Sequence, residues 1–304
     1  MSGDKDLNLE EEIFLPFTHV HSQPSKGFRR KIPEAFDHWL KVPEDKMKQA
    51  LEMALMMHDV SLILDDVLDG TSTRRGVPAA HLVYGEAWTM STASMGVISV
   101  INKSFTIHPE APKIFCEEVL KGARGQTKEI YWRETVKCPT EEEYNTMLEE
   151  KTGGMFNLAV RLLQLFSENK TNYSELVKKI GRYFQLRDDY CNITQPEELE
   201  ECPDSKFYLQ DLNEYYLDLT EGKFTLPIIH AMRSKRGETI LNLLKQRPKD
   251  IERKRYCVSL LEELGSLEYT QNALRDLDRE IREEVAQYGG NPLLETILDN
   301  LLTQ

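Results

Sequence analysis

The chain has 304 residues, 40% hydrophobic and 29% charged, and a formal net charge of −13 from 38 Lys+Arg against 51 Asp+Glu. That composition fits a soluble globular protein with a sizeable core, and its acidity argues against a nucleic-acid partner, whose phosphates select basic faces. Five dispersed cysteines without a CxxC pair exclude a disulfide framework and argue against zinc, and with an acidic N-terminus and no run of about 18 apolar residues they point to the cytoplasm rather than a membrane.

Residues 1–12, MSGDKDLNLEEE, are acidic and polar and are expected to form a disordered tail. Residues 13–304 read as one all-α domain without a linker. SKGFRR places Lys26 and Arg29 near its start. MKQALEMALMMHDVSLIL, residues 47–64, runs well past strand length with neither Gly nor Pro, which predicts a long helix. It leads directly into Asp65, Asp66 and Asp69, and then into Arg74 and Arg75. PTEEEYNTMLEEKTGGMFNLAVRLLQLF opens with a helix-start signature and contains Lys151 and Thr152. YSELVKKIGRYFQLRDDYCNI and RYCVSLLEELGSLEYTQNALRDLDREIREEVAQY repeat the helical spacing, and strand-like alternation is hard to find.

In a helix, positions i and i+4 share a face, so Asp65 and Asp69 project together with Asp66 beside them. Carboxylates this close repel one another unless a cation sits among them. Oxygen ligands of this kind suit Mg²⁺, which takes one or two carboxylates and completes its shell with phosphate and water. A solvated acidic helix end explains the first motif equally well on its own. The second cluster shifts that balance: Asp188, Asp189 and Asn192 follow another apolar helical run, with Gln185 one turn earlier. Two such clusters facing across a cavity would hold several Mg²⁺ ions on one diphosphate. Arg74, Arg75, Lys151, Lys206, Lys223, Lys26 and Arg29 are the candidate anion partners. Singly, each is more often a surface charge, and His58 on the apolar helix is more often a satisfied core histidine than a ligand.

HDVSLILDDVLDGTSTRRGVPAAH, IYWRE with CPTEEEY, KTGG, FQLRDDYCN and DLTEGKFTLPIIHA together resemble the short-chain trans-isoprenyl diphosphate synthases, animal geranylgeranyl diphosphate synthases above all. The resemblance implies a single-domain bundle of long antiparallel helices around a deep apolar cavity, assembled as a homodimer or higher homo-oligomer. It implies that Asp65, Asp66, Asp69, Asp188 and Asp189 bind about two to three Mg²⁺ ions. Arg74, Lys151, Thr152, Gln185, Lys206 and Lys223 would hold the allylic diphosphate. Lys26, Arg29, His58 and Arg75 would grip isopentenyl diphosphate. The implied activity is Mg²⁺-dependent prenyl transfer yielding geranylgeranyl diphosphate, with Asp65, Asp66, Asp69, Lys151 and Asp188 as catalytic residues. The alternative is a terpene synthase derived from such an enzyme, turning geranyl or farnesyl diphosphate into a volatile hydrocarbon such as an acyclic monoterpene.

Product length should depend on the positions one turn before Asp65, where Val60 and Ser61 are small and leave the floor open. Farnesyl-producing relatives place bulky aromatics there. The chain also departs from the family pattern. QDLNEYYLDLTEGK carries a second Asp-Leu pair, and Ala123, Thr127, Lys128, Glu129 and Ser91 to Met95 differ from the residues usual at those places. Such changes on cavity-lining helices keep a changed product, or a changed reaction, open.

Overall fold

The computed structural model describes residues 8–23, 27–194 and 216–302. Among them the chain is almost entirely helical, and no helix is long and apolar enough to cross a membrane. The acid-rich start, expected to be disordered to residue 12, is helical in its described part. Asn8 caps α1 (Leu9–Ile13) in a reciprocal capping box with Glu11, and the first-turn acids face the positive end of the helix dipole. Helix α2 (Leu15–His21) and α3 (Phe28–Leu40) follow, and then the long α4 (Glu44–Asp69). Gly70, in the left-handed conformation, ends α4 and returns its N–H to the Asp66 carbonyl.

A short ribbon interrupts the helices, pairing β1 (Thr73–Arg74) with β2 (Val77–Pro78) in antiparallel register. Its two central residues, Arg75 and Gly76, both have positive φ, at 53° and 77°, as a tight primed hairpin turn requires. Two-residue strands are too short to leave an alternating pattern, so hydrophobic periodicity does not register them.

Helices α5 (Ala80–Tyr84), α6 (Glu86–Ser104) and α7 (Ala111–Thr135) lead to α8 (Glu141–Leu148), which starts at a Thr140–Glu143 capping box inside the PTEEE motif. Helix α8 continues through one π-helical turn (Glu149–Gly153) into α9 (Gly154–Gln164). Next come α10 (Ser174–Thr194) and the short α11 (Leu217–Glu221) and α12 (Leu226–Ala231). The outer helices are α13 (Gly237–Lys245), α14 (Ile251–Glu263), α15 (Ser266–Gln287) and α16 (Pro292–Leu302). The periodic run from Arg255 to Tyr288 is thus divided at Gly265, whose φ of +67° breaks the helix.

Helix α4 packs against α6 and α9, and α10 packs against α9, α15 and the π turn. Phe36, Phe115, Tyr144, Phe156, Tyr183 and their aliphatic neighbours are fully or nearly fully buried in one continuous core. Burying an aromatic or aliphatic side chain of this kind contributes about 1.5–3 kcal/mol. The acid-bearing ends of α4 and α10 therefore rest on a rigid base.

Candidate functional site

The face of α4 that carries the first acidic motif also carries Leu51, Leu55 and His58. These residues, with Ala54, line a narrow cleft closed by Arg29 of α3 and by Met155, Phe156 and Ala159 of α9. Above them, Asp65 accepts a hydrogen bond from Gln126 Nε2 at 2.8 Å and lies 3.6 Å from Lys151 Nζ. Burial works against its charge, but Lys151, Lys223 and Arg74 outweigh it and lower its pKa to about 2. Asp69 accepts from Arg133 Nη1 at 2.5 Å and sits 3.2 Å from Lys223 Nζ. Asp66 does not share this face. Its carboxylate is 1% exposed and takes the Arg74 guanidinium, with Nε at 2.9 Å, so the structure pairs two residues that sequence reasoning assigned separately to metal and to phosphate.

The second motif is joined to the first through the π turn. That turn carries Lys151, whose ammonium bonds Glu129 Oε2 at 2.6 Å, and Thr152, whose hydroxyl donates to Gln185 Oε1 at 2.8 Å. Gln185 in turn donates to Asp189 Oδ1 at 3.0 Å. Burial opposes the Lys151 charge, yet Asp65 and Glu129 together raise its pKa. The turn fits because two helices approach it with glycines. A Cβ on Gly125 of α7 would stand 2.6 Å from Lys151 N, and one on Gly181 of α10 would collide with Gly153 Cα. A π turn spends one extra residue per hydrogen bond and often marks a site where a side chain must be re-aimed. Here the re-aimed side chains are Lys151 and Thr152.

Asp188 is exposed, whereas Asp189 is buried and accepts from Tyr144 Oη at 2.5 Å. Burial raises the Asp189 pKa to about 6, against the bonds from Tyr144 and Gln185, with Asp188 adding to the rise. Protons and Mg²⁺ would compete for this carboxylate. The Mg²⁺ dissociation constant, measured by titration calorimetry, is therefore expected to rise by up to about tenfold per pH unit below about pH 6 and to level off above it. A constant unchanged between about pH 5 and 7 would remove Asp189 from the metal site.

The third edge comes from α11 and the loop after it. Lys223 lies 3.7 Å from Asp218 and 2.5 Å from Glu221, besides its contact with Asp69. Asp218 accepts no hydrogen bond at Oδ2 and is held protonation-prone, first by burial and then by Asp189 and Glu221. Among the described residues, carboxylates therefore outnumber cations where these elements meet: Asp65, Asp69, Glu129, Asp188, Asp189, Asp218 and Glu221 against Lys151, Lys223 and Arg133. Among the described residues, no three of these acids converge as a ready-made metal cage. Oxygen-only donors, an unpartnered buried carboxylate oxygen and incomplete convergence fit Mg²⁺, which leaves part of its shell to phosphate and water. The fit is to a metal shared with an anionic substrate.

The other cationic set is built on different elements. Arg29 sits over the Phe156 and Phe184 rings, its Cζ 5.6 and 5.8 Å from their centroids. His58 is buried beside it, and burial, with Arg29, Arg75 and Arg74, lowers its pKa, so the ring is neutral. Arg75 Nη2 lies 3.2 Å from Asp59, and Asp59 in turn is bound by His21 Nδ1 at 2.7 Å. Lys26 and Lys206, together with residues 207–215 of the extra segment near 207–218, lie outside the described residues.

The two chain-length positions sit differently on α4. Val60 is 1% exposed and packs on Gly96 of α6 and on Ala93, Val20 and Ile63, so it borders filled space rather than an open floor. The physical reason is helical phase: Val60 lies on the far side of α4 from Leu55 and His58. Ser61 is half-buried and donates its hydroxyl to the His58 carbonyl at 2.7 Å.

Sequence reasoning missed Gln126, Arg133, Tyr144, Asp218, Glu221, Asp59 and His21, and treated Glu129 only as a departure. One signal was present. Gln126, Glu129 and Arg133 recur at i, i+3 and i+7 along α7, a polar stripe beside Gly125. That stripe faces the first motif.

A family model described as polyprenyl synthetase matches residues 10–261. The chain is similar, at 46% identity over 99% of its length and 96% of the relative's, to a protein called terpene synthase from Matsumurasca onukii. It is also similar to geranylgeranyl pyrophosphate synthases from Mucor circinelloides f. lusitanicus, at 39% over 98% of this chain and 95% of that one, and from Dictyostelium discoideum, at 36% over 95% and 93%.

Proposed function

The chain belongs to the polyprenyl synthetase family, and from that premise we propose that it is a Mg²⁺-dependent prenyltransferase acting on isoprenyl diphosphates. It ionises an allylic diphosphate and condenses it with isopentenyl diphosphate, giving geranylgeranyl diphosphate. The observation that carries this reading is the excess, among the described residues, of carboxylates over buried cations where α4, α10 and the π turn meet. An acidic site of that kind accepts a diphosphate only together with divalent cations.

The roles divide by position. Asp65, Asp69, Asp188 and Asp189 would hold about two to three Mg²⁺ ions, which when bound neutralise the charge that develops on the leaving diphosphate. Lys151 and Lys223, buried cations fixed by Glu129 and Glu221, hold the diphosphate oxygens directly, with Thr152 and Gln185 orienting them. Asp66 fixes Arg74 at the rim. As the allylic C–O bond breaks, its electron pair leaves with the diphosphate, and the allylic cation remains over an apolar lining. Leu55, Met155, Phe156 and Ala159 supply that lining and keep water away. The isopentenyl double bond then attacks the cation, and a proton departs to the released diphosphate. Ser61 is the floor residue of this reading.

Ile98 and Phe105, large apolar residues 69% and 64% exposed, belong to the face that a second copy would cover in a homodimer. The reaction is assigned to the cytoplasm, in keeping with five dispersed cysteines that form no CxxC pair in the sequence.

A second reading has a specific observation in its favour: Arg75, a residue expected to grip isopentenyl diphosphate, is already bound to a protein carboxylate. In that reading the chain is a terpene synthase that loses diphosphate without elongation, as the name of the Matsumurasca onukii relative suggests for that protein. Labelled isopentenyl diphosphate, supplied with geranyl or farnesyl diphosphate and Mg²⁺, separates the two. Label in a longer diphosphate supports prenyl transfer. An unlabelled hydrocarbon in the headspace, formed equally well without isopentenyl diphosphate, overturns it in favour of the lyase.

A further inference from the structure

We propose that Asp59 is a specificity-setting residue: its carboxylate occupies Arg75 and weakens the subsite for the second diphosphate, so that isopentenyl diphosphate binds less tightly than the rest of its subsite would allow. The inference rests on the reading of Arg75 as part of the isopentenyl subsite.

Arg75 has little freedom. It stands at φ +53° in the primed turn, and its guanidinium side chain is 7% exposed. Nη1 donates to the Val20 carbonyl at 3.1 Å and the Gln23 carbonyl at 3.4 Å, while Nη2 reaches Asp59 Oδ1 at 3.2 Å. Asp59 is as firmly placed. It is 8% exposed, and its second oxygen is bound by His21 Nδ1 at 2.7 Å. The His21 ring is stacked on Phe17 with centroids 5.2 Å apart, which fixes the third member to α2.

Three elements thus converge on one buried carboxylate: α2 through His21, α4 through Asp59 and the turn through Arg75. Breaking a buried ion pair by removing one partner leaves an uncompensated charge, so Arg75 does not abandon Asp59 cheaply. A diphosphate seated on Arg29, His58 and Arg75 would then lie close to the Asp59 carboxylate, next in sequence to His58. Like charge at that range opposes binding, and the Arg75 charge is already largely spent on Asp59. The allylic subsite, built from Lys151, Lys223 and the two aspartate motifs, does not share this carboxylate. The handicap therefore falls on the second substrate alone.

The test uses the whole chain. Binding of isopentenyl diphosphate is measured by calorimetry in EDTA, so that the metal-dependent subsite is not loaded, for wild type, Asp59→Asn, Arg75→Ala and the double variant. Asp59→Asn should tighten binding by about 10- to 100-fold, and the gain should vanish in the Arg75→Ala background. In steady state with an allylic substrate, KM for isopentenyl diphosphate should fall by the same factor while kcat stays within about twofold. If the Asn protein does not fold, Asp59→Ser, also neutral, takes its place with the same expected result. Unchanged or weaker binding in the folded neutral variant overturns the inference, as does a gain that persists without Arg75. Release of inorganic diphosphate from geranyl or farnesyl diphosphate by the wild type is read separately. Its absence sinks the family reaction for this chain, whereas its presence with unaltered isopentenyl binding sinks only the role of Asp59.

Discussion

Asp65→Ala is expected to lower turnover of any allylic diphosphate by about 10²–10⁴-fold while leaving the fold intact. Asp65 is half-buried, 3.6 Å from Lys151 Nζ, and it is held ionised, against its burial, by Lys151, Lys223 and Arg74. Removing it leaves Lys151 paired with Glu129 at 2.6 Å, so no buried cation is stranded. What is lost is a charge positioned to share a metal with the leaving group. Asp188→Ala should behave in the same way, since Asp188 is exposed. The check is diphosphate release across a Mg²⁺ titration, with circular dichroism to show that secondary structure and melting midpoint are retained. Wild-type turnover by either folded variant would remove the two-motif site.

Gly181→Val is the second large effect, and it acts at a distance from the carboxylates. Any side chain at this position of α10 meets the backbone of Gly153 and Thr152 in the π turn. Backbone cannot rotate aside as a flexible side chain can, so α10 and the turn must separate. That separation displaces Thr152 from Gln185 and moves Lys151 relative to Asp65. Overpacking is expected to cost about 1–3 kcal/mol of stability, and a displacement near 1 Å in positioned groups about 10²-fold in kcat. Thermal melting and kcat measured on the same preparation test this. A stable variant with unaltered kcat would show that the π turn does not set the position of Lys151.

What a sequence makes legible follows the range of the interactions. Helices α4, α8 and α10 were legible because apolar spacing, the absence of Gly and Pro in α4 and the PTEEE cap of α8 act within a few residues. The aspartate motifs were legible for the same reason, since i and i+4 fix a shared face. The π turn was not, because EEKTG carries no local signature and depends on Gly125 and Gly181 elsewhere in the chain. The surroundings of Val60 were not legible either, because its contact with Gly96 depends on how α6 packs on α4.

By itself, then, the sequence determined an all-α chain with two acidic motifs at the ends of apolar helices, and the cations available to serve them. Only the tertiary structure decided which charges meet. Arg133 reaches Asp69 across 64 residues, Lys223 reaches it from α11's far end, and Asp59 takes Arg75 before any substrate arrives. The physical reason is that helix propensity and periodicity are summed over neighbours in the chain, whereas Coulomb energy and desolvation depend on neighbours in space. A lysine or arginine has the same charge wherever it lies in the sequence. What it binds is fixed by which helix packing leaves beside it.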